Sequence, residues 1–209
     1  NRRSEVIYPP INLEVYKRRK VSDKPVDGDF VILQVGSLVK LKNQASSIIA
    51  LKIVKKTIPK SKLIILGSGP WKNRLTYLTK ELKLAKDVIF MNYADEATLA
   101  KIYSSSDLYL NPVLEQSFGL TPFEALASGT PTIVSRRCGA AEIIQRYAPE
   151  MIIEPTPRDI AHKILEVYKN YDEFVDKTRN LERIIKIELS PMKYAEKTLK
   201  LIKSALEIS

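Results

Sequence analysis

Cysteine and histidine are nearly absent, because the 209-residue sequence contains one of each, Cys138 and His162. A single cysteine cannot form an internal disulfide, which is typical of proteins from a reducing compartment. Zinc modules built from several cysteines and histidines are excluded for the same reason. A cysteine–histidine nucleophile pair would need these two residues to meet in space.

Long apolar runs are also absent. The longest stretch without Asp, Glu, Lys or Arg runs from Ala125 to Ser135, far short of the roughly 20 residues that span a bilayer. The sequence therefore predicts no transmembrane helix. The first residues lack the apolar core of a signal peptide, and because they also lack an initiator methionine, we expect the sequence to be a piece of a longer protein.

Acidic residues are outnumbered, since 34 Lys and Arg face 24 Asp and Glu and give a net charge of +10. Such an excess favours an anionic partner: a nucleic acid, a phosphorylated small molecule or an anionic membrane surface. We find no basic segment interleaved with stacking aromatics, so no nucleic-acid partner is expected.

Short β-branched runs alternate with helical patterns from residue 29 onward. The predicted strands are Phe30–Val35, Leu63–Leu66, Val88–Met91, Leu108–Leu110, Thr132–Ser135 and Met151–Ile153. The predicted helices between them are Gln44–Thr57, Trp71–Leu82, Glu96–Ser104, Pro122–Ala127 and Ala140–Arg146. This alternation predicts an α/β, Rossmann-like, three-layer domain with a parallel sheet of about six strands, buried by helices on both faces.

The predicted organisation has three parts. Residues 1–28 are punctuated by proline, carry the basic run Lys17–Lys20 and are interpreted as a linker or entry segment; residues 29–155 form the core; residues 156–209 form C-terminal helices of the same domain. Thr156 and Ser190 each precede a proline, which predicts a capped helix start. The last helix has an apolar stripe that needs a covering surface, on this sheet or on an absent domain.

Ligands of open parallel sheets bind beyond the carboxyl ends of the strands, so the loops after the strands are the candidate sites. The first loop is Gly36–Asn43, whose Lys40 and Lys42 either pair with phosphate or stay solvated. The second, Gly67–Pro70, is weakly similar to a phosphate-binding turn. A Walker P-loop is excluded because no Gly-Lys-Ser/Thr follows in the sequence.

The densest candidate is the loop Asn111–Ala125, whose free amides before Pro122 suit an anion. Glu124 has two interpretations here: a ligand-binding carboxylate, or part of a capping box with Thr121. A fourth polar loop spans Ser135–Glu142. No metal site is predicted, because the Asp-x-Asp pattern at Asp27–Asp29 precedes the first strand and so lies at the sheet edge opposite the cleft.

Taken in order, these loops resemble the C-terminal, donor-binding half of a GT-B retaining glycosyltransferase of family four, the glycosyl transferases group 1. The resemblance covers nearly the whole sequence. It is most specific at Phe118-Gly119-Leu120, followed by Glu124-Ala125 and Ser128-Gly129-x-Pro131. The final helix resembles a segment that crosses back onto the N-terminal acceptor domain, which is absent here.

The resemblance implies transfer of a hexose from a nucleoside diphosphate sugar to a glycan or lipid-linked acceptor, without a metal or other cofactor, and in the cytoplasm. Peripheral contact with the inner membrane face stays open. The implied site residues are grouped as follows: Lys42, Glu115, Gln116 and Glu124 catalytic; Ser37, Lys42, Gly119, Leu120 and Thr121 on the donor phosphates; Glu115, Gln116, Ser117 and Phe118 on the sugar; Glu124 on the ribose; Asn92 and Tyr93 beside the base. This half alone is expected to bind donor without turnover.

The sequence departs from the family pattern in three places. Ser37 stands where arginine is usual, and Cys138 precedes Gly139 where a Gly-Gly pair is common. The usual glutamate pair has seven residues between its members, whereas eight separate Glu115 from Glu124, so either a bulge restores Glu115 or Gln116 takes the first position. Two alternative functions stay open for the sequence as a whole. One is a GT-B-like epimerase or phosphorylase half, and the other is a non-catalytic basic module for RNA or anionic lipid.

Overall fold

The computed structural model of the protein describes residues 6–19 and 24–206. Residues 1–5 and 20–23 of the predicted entry segment, with Lys20 of its basic run, and residues 207–209 lie outside the described residues. The strands are β1 (Phe30–Val35), β2 (Ser61–Leu66), β3 (Val88–Met91), β4 (Leu108–Asn111), β5 (Thr132–Ser135) and β6 (Ile152–Ile153). The helices are α1 (Gln44–Val54), α2 (Lys72–Glu81), α3 (Glu96–Ser105), α4 (Thr121–Ala127), α5 (Ala140–Ile144), α6 (Pro157–Lys169), α7 (Tyr171–Glu188) and α8 (Pro191–Leu206).

The strands form one sheet in the order β3-β2-β1-β4-β5-β6, and every pairing is parallel. Helix α1 packs against α2 and α6, while α4 packs against α3 and α7, so helices cover both faces. The predicted Rossmann-like α/β fold with six parallel strands is confirmed. The strand order reverses between β1 and β4, and this switch point opens a crevice beyond Val35 and Asn111.

Most elements differ from the sequence prediction at one or both boundaries, by one to three residues, and the largest difference is the end of α1, which lies at Val54 instead of Thr57. Strand β2 begins two residues early at Ser61, a buried position whose hydroxyl is satisfied by donating to the Ile58 carbonyl at 2.8 Å. Helix α7 starts at Tyr171 after a break at Asn170, whose φ of −115° and ψ of 39° interrupt the helix.

The predicted helix starts at Thr156 and Ser190 are confirmed. The Thr156 hydroxyl accepts a hydrogen bond from the Asp159 amide at 3.2 Å, and the Ser190 hydroxyl accepts one from the Lys193 amide at 3.1 Å. Such caps satisfy amides that the first helical turn leaves without partners.

Helix α8 lies with its apolar stripe exposed. Leu199, Ile202 and Leu206 are 57%, 49% and 70% exposed, and no residue of α8 is buried. The stripe therefore lacks a covering surface in the described structure. Among the described residues, no helix is long and apolar enough to cross a membrane.

The segment that precedes β1 packs on the domain. Ile11 and Tyr16 are buried, and the Ile11 amide donates to the Leu189 carbonyl at 3.1 Å. Tyr8 stacks on Phe118 in the loop after β4. This segment thus reaches one of the candidate site loops.

Candidate functional site

Two glutamine amides hold the loop after β1. The Gln34 side chain donates to the Lys42 carbonyl at 2.7 Å, and the Gln44 side chain donates to the Ser37 carbonyl at 2.9 Å. Both glutamines are buried, whereas Ser37 is exposed at the loop surface. These hydrogen bonds therefore hold the loop backbone on its buried side and leave its exposed side open to a ligand.

Asn43 joins this loop to its neighbours. Its side-chain amide donates to the carbonyls of Pro112 and Pro155, both at 2.9 Å. Asn43 has a φ of 56°, a left-handed conformation that asparagine tolerates better than most residues, and it ends the 3-10 turn Lys40–Lys42. One residue thus ties together the loops that follow β1, β4 and β6.

Lys42 reaches across the crevice to the loop after β4. Its ammonium group donates to Gln116 Oε1 at 3.0 Å, whereas Lys40 is exposed. No carboxylate of a described residue lies within ion-pair distance of Lys42. Burial lowers the pKa of Lys42, because its charge is partly removed from water. The site therefore holds a half-buried cation that no carboxylate of the described residues neutralises.

The backbone around Gln116 explains why this side chain, and not that of Glu115, faces Lys42. The Gln116 amide donates to the Arg137 carbonyl at 3.1 Å, and its own carbonyl accepts from Gly139 at 2.9 Å. This isolated parallel bridge fixes the direction of Gln116. Glu115 is exposed. The residue that faces the lysine is therefore separated from Glu124 by seven residues.

The loops after β4 and β5 approach each other closely at Gly139. A Cβ placed there would lie 2.0 Å from the Ser117 carbonyl oxygen, so only glycine fits. The adjacent Cys138 is buried, and its thiol donates to the Phe118 carbonyl at 2.9 Å. The close approach is thus present with cysteine in place of a first glycine.

The stretch Gly119–Thr121 presents free backbone amides. Within the described part of the chain, the amides of Gly119, Leu120 and Thr121 donate to no protein group. Gly119 has a φ of 93°, and a Cβ on it would lie 2.8 Å from Gln116 Nε2. Lys42, Gln116 and Gly119 are therefore brought together at one end of the crevice.

Glu124 does not form the capping box with Thr121. Helix α4 begins at Thr121, and its N-cap position, Leu120, has no side-chain cap. The Glu124 carboxylate instead accepts a hydrogen bond at Oε2 from the Tyr103 hydroxyl, at 3.1 Å. Burial raises the pKa of Glu124, and nearby Glu96 raises it further, while the Tyr103 hydroxyl lowers it. Glu124 is thus a largely buried acid held by a tyrosine.

The remaining candidates lie at the same edge of the sheet. Asn92 and Tyr93 follow β3, and Tyr93 is 82% exposed. A Cβ on Gly67 would lie 2.1 Å from the Gly36 carbonyl oxygen, so the Gly67–Pro70 turn packs directly on the first loop. No group of three or more His, Cys, Asp or Glu suited to a metal ion occurs among residues 6–19 and 24–206.

Sequence reasoning missed the residues that hold the site in shape. Gln34 carries a signal in retrospect, since it is the one polar side chain in the apolar run of β1. Tyr103 carries none, because an aromatic residue on a buried helix face is usually core. Asn43 is indistinguishable in sequence from an ordinary loop asparagine.

Two solved structures share the fold of this chain. The C-terminal domain of a glycosyl transferase group 1 family protein (LpcC) from Francisella tularensis superposes with a TM-score of 0.77 and 21% identity, over 87% of this chain and 99% of that one. Anabaena HepE, solved in complex with UDP, superposes with a TM-score of 0.83 and 18% identity, over 96% of this chain and 57% of that one. The fold is that of the C-terminal half of GT-B glycosyltransferases.

The chain belongs to the glycosyl transferases group 1 family, whose model matches residues 17–186. An uncharacterized glycosyltransferase of Methanocaldococcus jannaschii is 30% identical over 186 residues, which cover 87% of this chain and 47% of that protein. The chain thus spans less than half the length of this curated relative.

Proposed function

We propose that this chain is the donor-binding half of a retaining glycosyltransferase, which transfers a hexose from a nucleoside diphosphate sugar to a glycan or lipid-linked acceptor. The single observation that carries the proposal is the half-buried Lys42 ammonium, which has a neutral amide for a partner and no described carboxylate. A buried charge without a counter-ion costs free energy. A bound diphosphate would supply that counter-ion.

The groups around the crevice suggest where the parts of the donor bind. Lys42 and the amides of Gly119, Leu120 and Thr121 would hold the diphosphate, with the exposed Ser37 at the edge of the same loop. Glu124 would accept hydrogen bonds from the ribose, and the exposed pair Asn92 and Tyr93 would lie beside the base.

The hexose would contact the loop from Glu115 to Phe118. In that loop Gln116 offers an amide to the sugar hydroxyls and hydrogen-bonds the lysine at the same time. Glu115 is exposed and would reach the sugar only from the outer side of the loop. We therefore propose that Gln116 takes the place of the first glutamate in the family's usual glutamate pair, with Glu124 as the second.

These groups account for the chemical step by electrostatics. When the glycosidic bond to the diphosphate breaks, negative charge develops on the leaving phosphate oxygens. A preorganised cation and backbone amides stabilise that charge without reorganising. In this proposal the positive potential comes from Lys42 and the loop amides, so that no metal ion is required.

The acceptor would bind to the half of the protein that this sequence does not contain. Reactive geometry and exclusion of water both need a closed cleft, so we propose that residues 1–209 alone bind the donor but do not turn over. We also propose a cytoplasmic location, with peripheral membrane contact if the acceptor is lipid-linked.

The test is calorimetric titration of the protein with UDP, GDP and ADP. Saturable one-to-one binding of one nucleotide is expected. Lys42→Ala should weaken that binding by about 10- to 100-fold, the effect of losing a charge-assisted contact, with an unchanged melting temperature.

Lys40→Ala is the matched control, since it removes the same charge two residues away from an exposed side chain. This variant should retain most of the affinity. Equal losses of affinity in the two variants would show that the effect comes from the overall charge and not from the position of Lys42. Absence of binding to all three nucleotides, together with salt-sensitive binding of RNA or anionic vesicles, would favour a basic binding module instead.

A further inference from the structure

The hydrogen bond between Tyr103 and Glu124 joins two helices at the candidate ribose position. Tyr103 lies on α3, Glu124 lies in the first turn of α4, and the two helices pack against each other. The Tyr103 side chain is fully buried and its hydroxyl donates to Glu124 Oε2 at 3.1 Å.

The surroundings of Tyr103 fix where its hydroxyl points. Its ring meets the ring of Tyr109 edge-on, with centroids 5.4 Å apart, and that of Tyr16 at 6.1 Å. Its carbonyl accepts a hydrogen bond from Thr130 Oγ1 at 2.6 Å. A ring packed on several sides keeps one rotamer, so the hydroxyl is a fixed donor.

This donor engages one carboxylate oxygen and leaves the other available. Glu124 Oε2 accepts from Tyr103, and Oε1 accepts no hydrogen bond from a described residue. Without Tyr103, the side chain of a glutamate in a first helical turn is free to fold back on the helix start, as in a capping box. The tyrosine therefore selects the rotamer that points across the α3–α4 junction.

We propose that Tyr103 is a positioning residue that holds the Glu124 carboxylate in the orientation that receives the ribose hydroxyls of the donor. This inference rests on the proposed function, because it needs a nucleotide in the crevice. It adds a residue that does not touch the ligand and acts through Glu124.

The groups around Glu124 explain why a positioning residue is useful there. Glu124 faces Glu96 and Tyr103 on α3, Tyr109 on β4 and Tyr16 in the segment before β1. Apart from Tyr103, these groups either repel the carboxylate or exclude water from it. The tyrosine hydroxyl favours the ionised form, which is the form that accepts hydrogen bonds from both hydroxyls of a ribose.

The test compares nucleotides that differ in the ribose alone. With the whole natural chain, the affinity for the preferred nucleoside diphosphate is measured beside its 2′-deoxy and 3′-deoxy analogues. The wild type should favour the ribonucleotide. Tyr103→Phe should reduce that preference by about 3- to 10-fold, the effect of one hydrogen bond, with a smaller loss of affinity for the deoxy analogues, because each of them keeps one of the two hydroxyls.

Tyr109→Phe is the matched control. It removes the hydroxyl of a neighbouring, fully buried tyrosine that forms no hydrogen bond with Glu124 among the described residues. This variant should keep the wild-type preference. A double-mutant cycle supplies the second measurement: in a Glu124→Gln background, Tyr103→Phe should change the preference little, because the two residues act together.

The results that would contradict the inference can be told apart from those that would contradict the proposed function. An unchanged ribose preference in Tyr103→Phe, or equal losses in Tyr103→Phe and Tyr109→Phe, would overturn the positioning role alone. A wild type that binds nucleotide but does not distinguish the deoxy analogues would remove Glu124 from the ribose, and this inference with it. A wild type that binds no nucleotide would refute the proposed function itself.

Discussion

The ring of Tyr8 stacks on the ring of Phe118, with centroids 5.2 Å apart and planes 19° from parallel. Phe118 stacks in turn on Phe123 of α4 at 5.3 Å. The segment that precedes β1 is thereby in contact with the loop that would receive the sugar. Movement of this segment would therefore also move the loop at the site.

Removing the Tyr8 ring is expected to loosen this loop. Tyr8→Ala should lower the free energy of unfolding by at least about 1 kcal/mol, because an aromatic pair contributes about that much beyond the area that it buries, and should weaken nucleotide binding. Urea denaturation and calorimetry measure the two effects. Tyr8→Phe keeps the stacked ring and is the control; if it behaves like Tyr8→Ala, the stack is not the source of the effect.

Glu124→Gln should stabilise the fold at neutral pH while weakening nucleotide binding. The pKa of Glu124 is raised in the folded protein by burial and by Glu96. A raised carboxyl pKa means that ionisation in the folded state costs stability: the cost is absent below the unfolded-state pKa and grows as pH rises through the folded-state value.

The gain from Glu124→Gln should therefore appear at neutral pH and fade as the pH falls toward the usual carboxyl range. Melting temperatures measured across this pH range provide the check. The control is Glu115→Gln, the same change at an exposed carboxylate, which should leave stability unchanged. A destabilised Glu124→Gln protein at neutral pH would contradict the argument.

Gly139→Ala should destabilise the protein by about 2 kcal/mol, because the new methyl group would overlap the Ser117 carbonyl and force the loops after β4 and β5 apart. Denaturant titration measures the loss. Gln145→Ala, at an exposed position just past α5, is the comparison and should be nearly neutral. Equal stability of the two variants would show that the loops separate without cost.

Nucleotide binding should weaken only modestly with salt. A single diphosphate neutralised mainly by Lys42 releases few counter-ions, whereas a protein that makes 6–10 contacts to nucleic-acid phosphates loses about 10³- to 10⁵-fold in affinity between 50 and 200 mM salt. Titrations at two salt concentrations distinguish the cases. A loss of the larger size would indicate that the net charge of +10 acts as a polyelectrolyte surface.

The fold was predictable from local patterns, because the buried parallel strands are continuous apolar runs. Phe30–Val35 and Thr132–Ser135 have the same bounds in the structure as in the prediction. The break at Asn170 was not predictable, since helical periodicity continues on both sides of it. That break depends on how α6 and α7 pack, which is tertiary information.

Loop positions were predictable at the candidate site, but side-chain partners were not. The sequence left open whether Glu115 or Gln116 takes the first position, and a bridge to the loop after β5 turns Gln116 toward Lys42. Glu124 had two interpretations, and a tyrosine 21 residues away decides its rotamer. Contacts of such separation leave no local pattern in a single sequence.

The strand order also has a consequence for folding kinetics. Strand β1 lies at the centre of the sheet, yet the amide of Val31 finds its acceptor in Asp107, which follows 76 residues later in the chain. For residues so far apart in the sequence to meet, a long loop must close, and its entropy is lost before the contact stabilises the chain. Such contacts therefore slow folding. During synthesis, β1 and β2 should leave the ribosome with one edge of β1 still unpaired. Until β4 arrives, that unpaired edge is prone to aggregation.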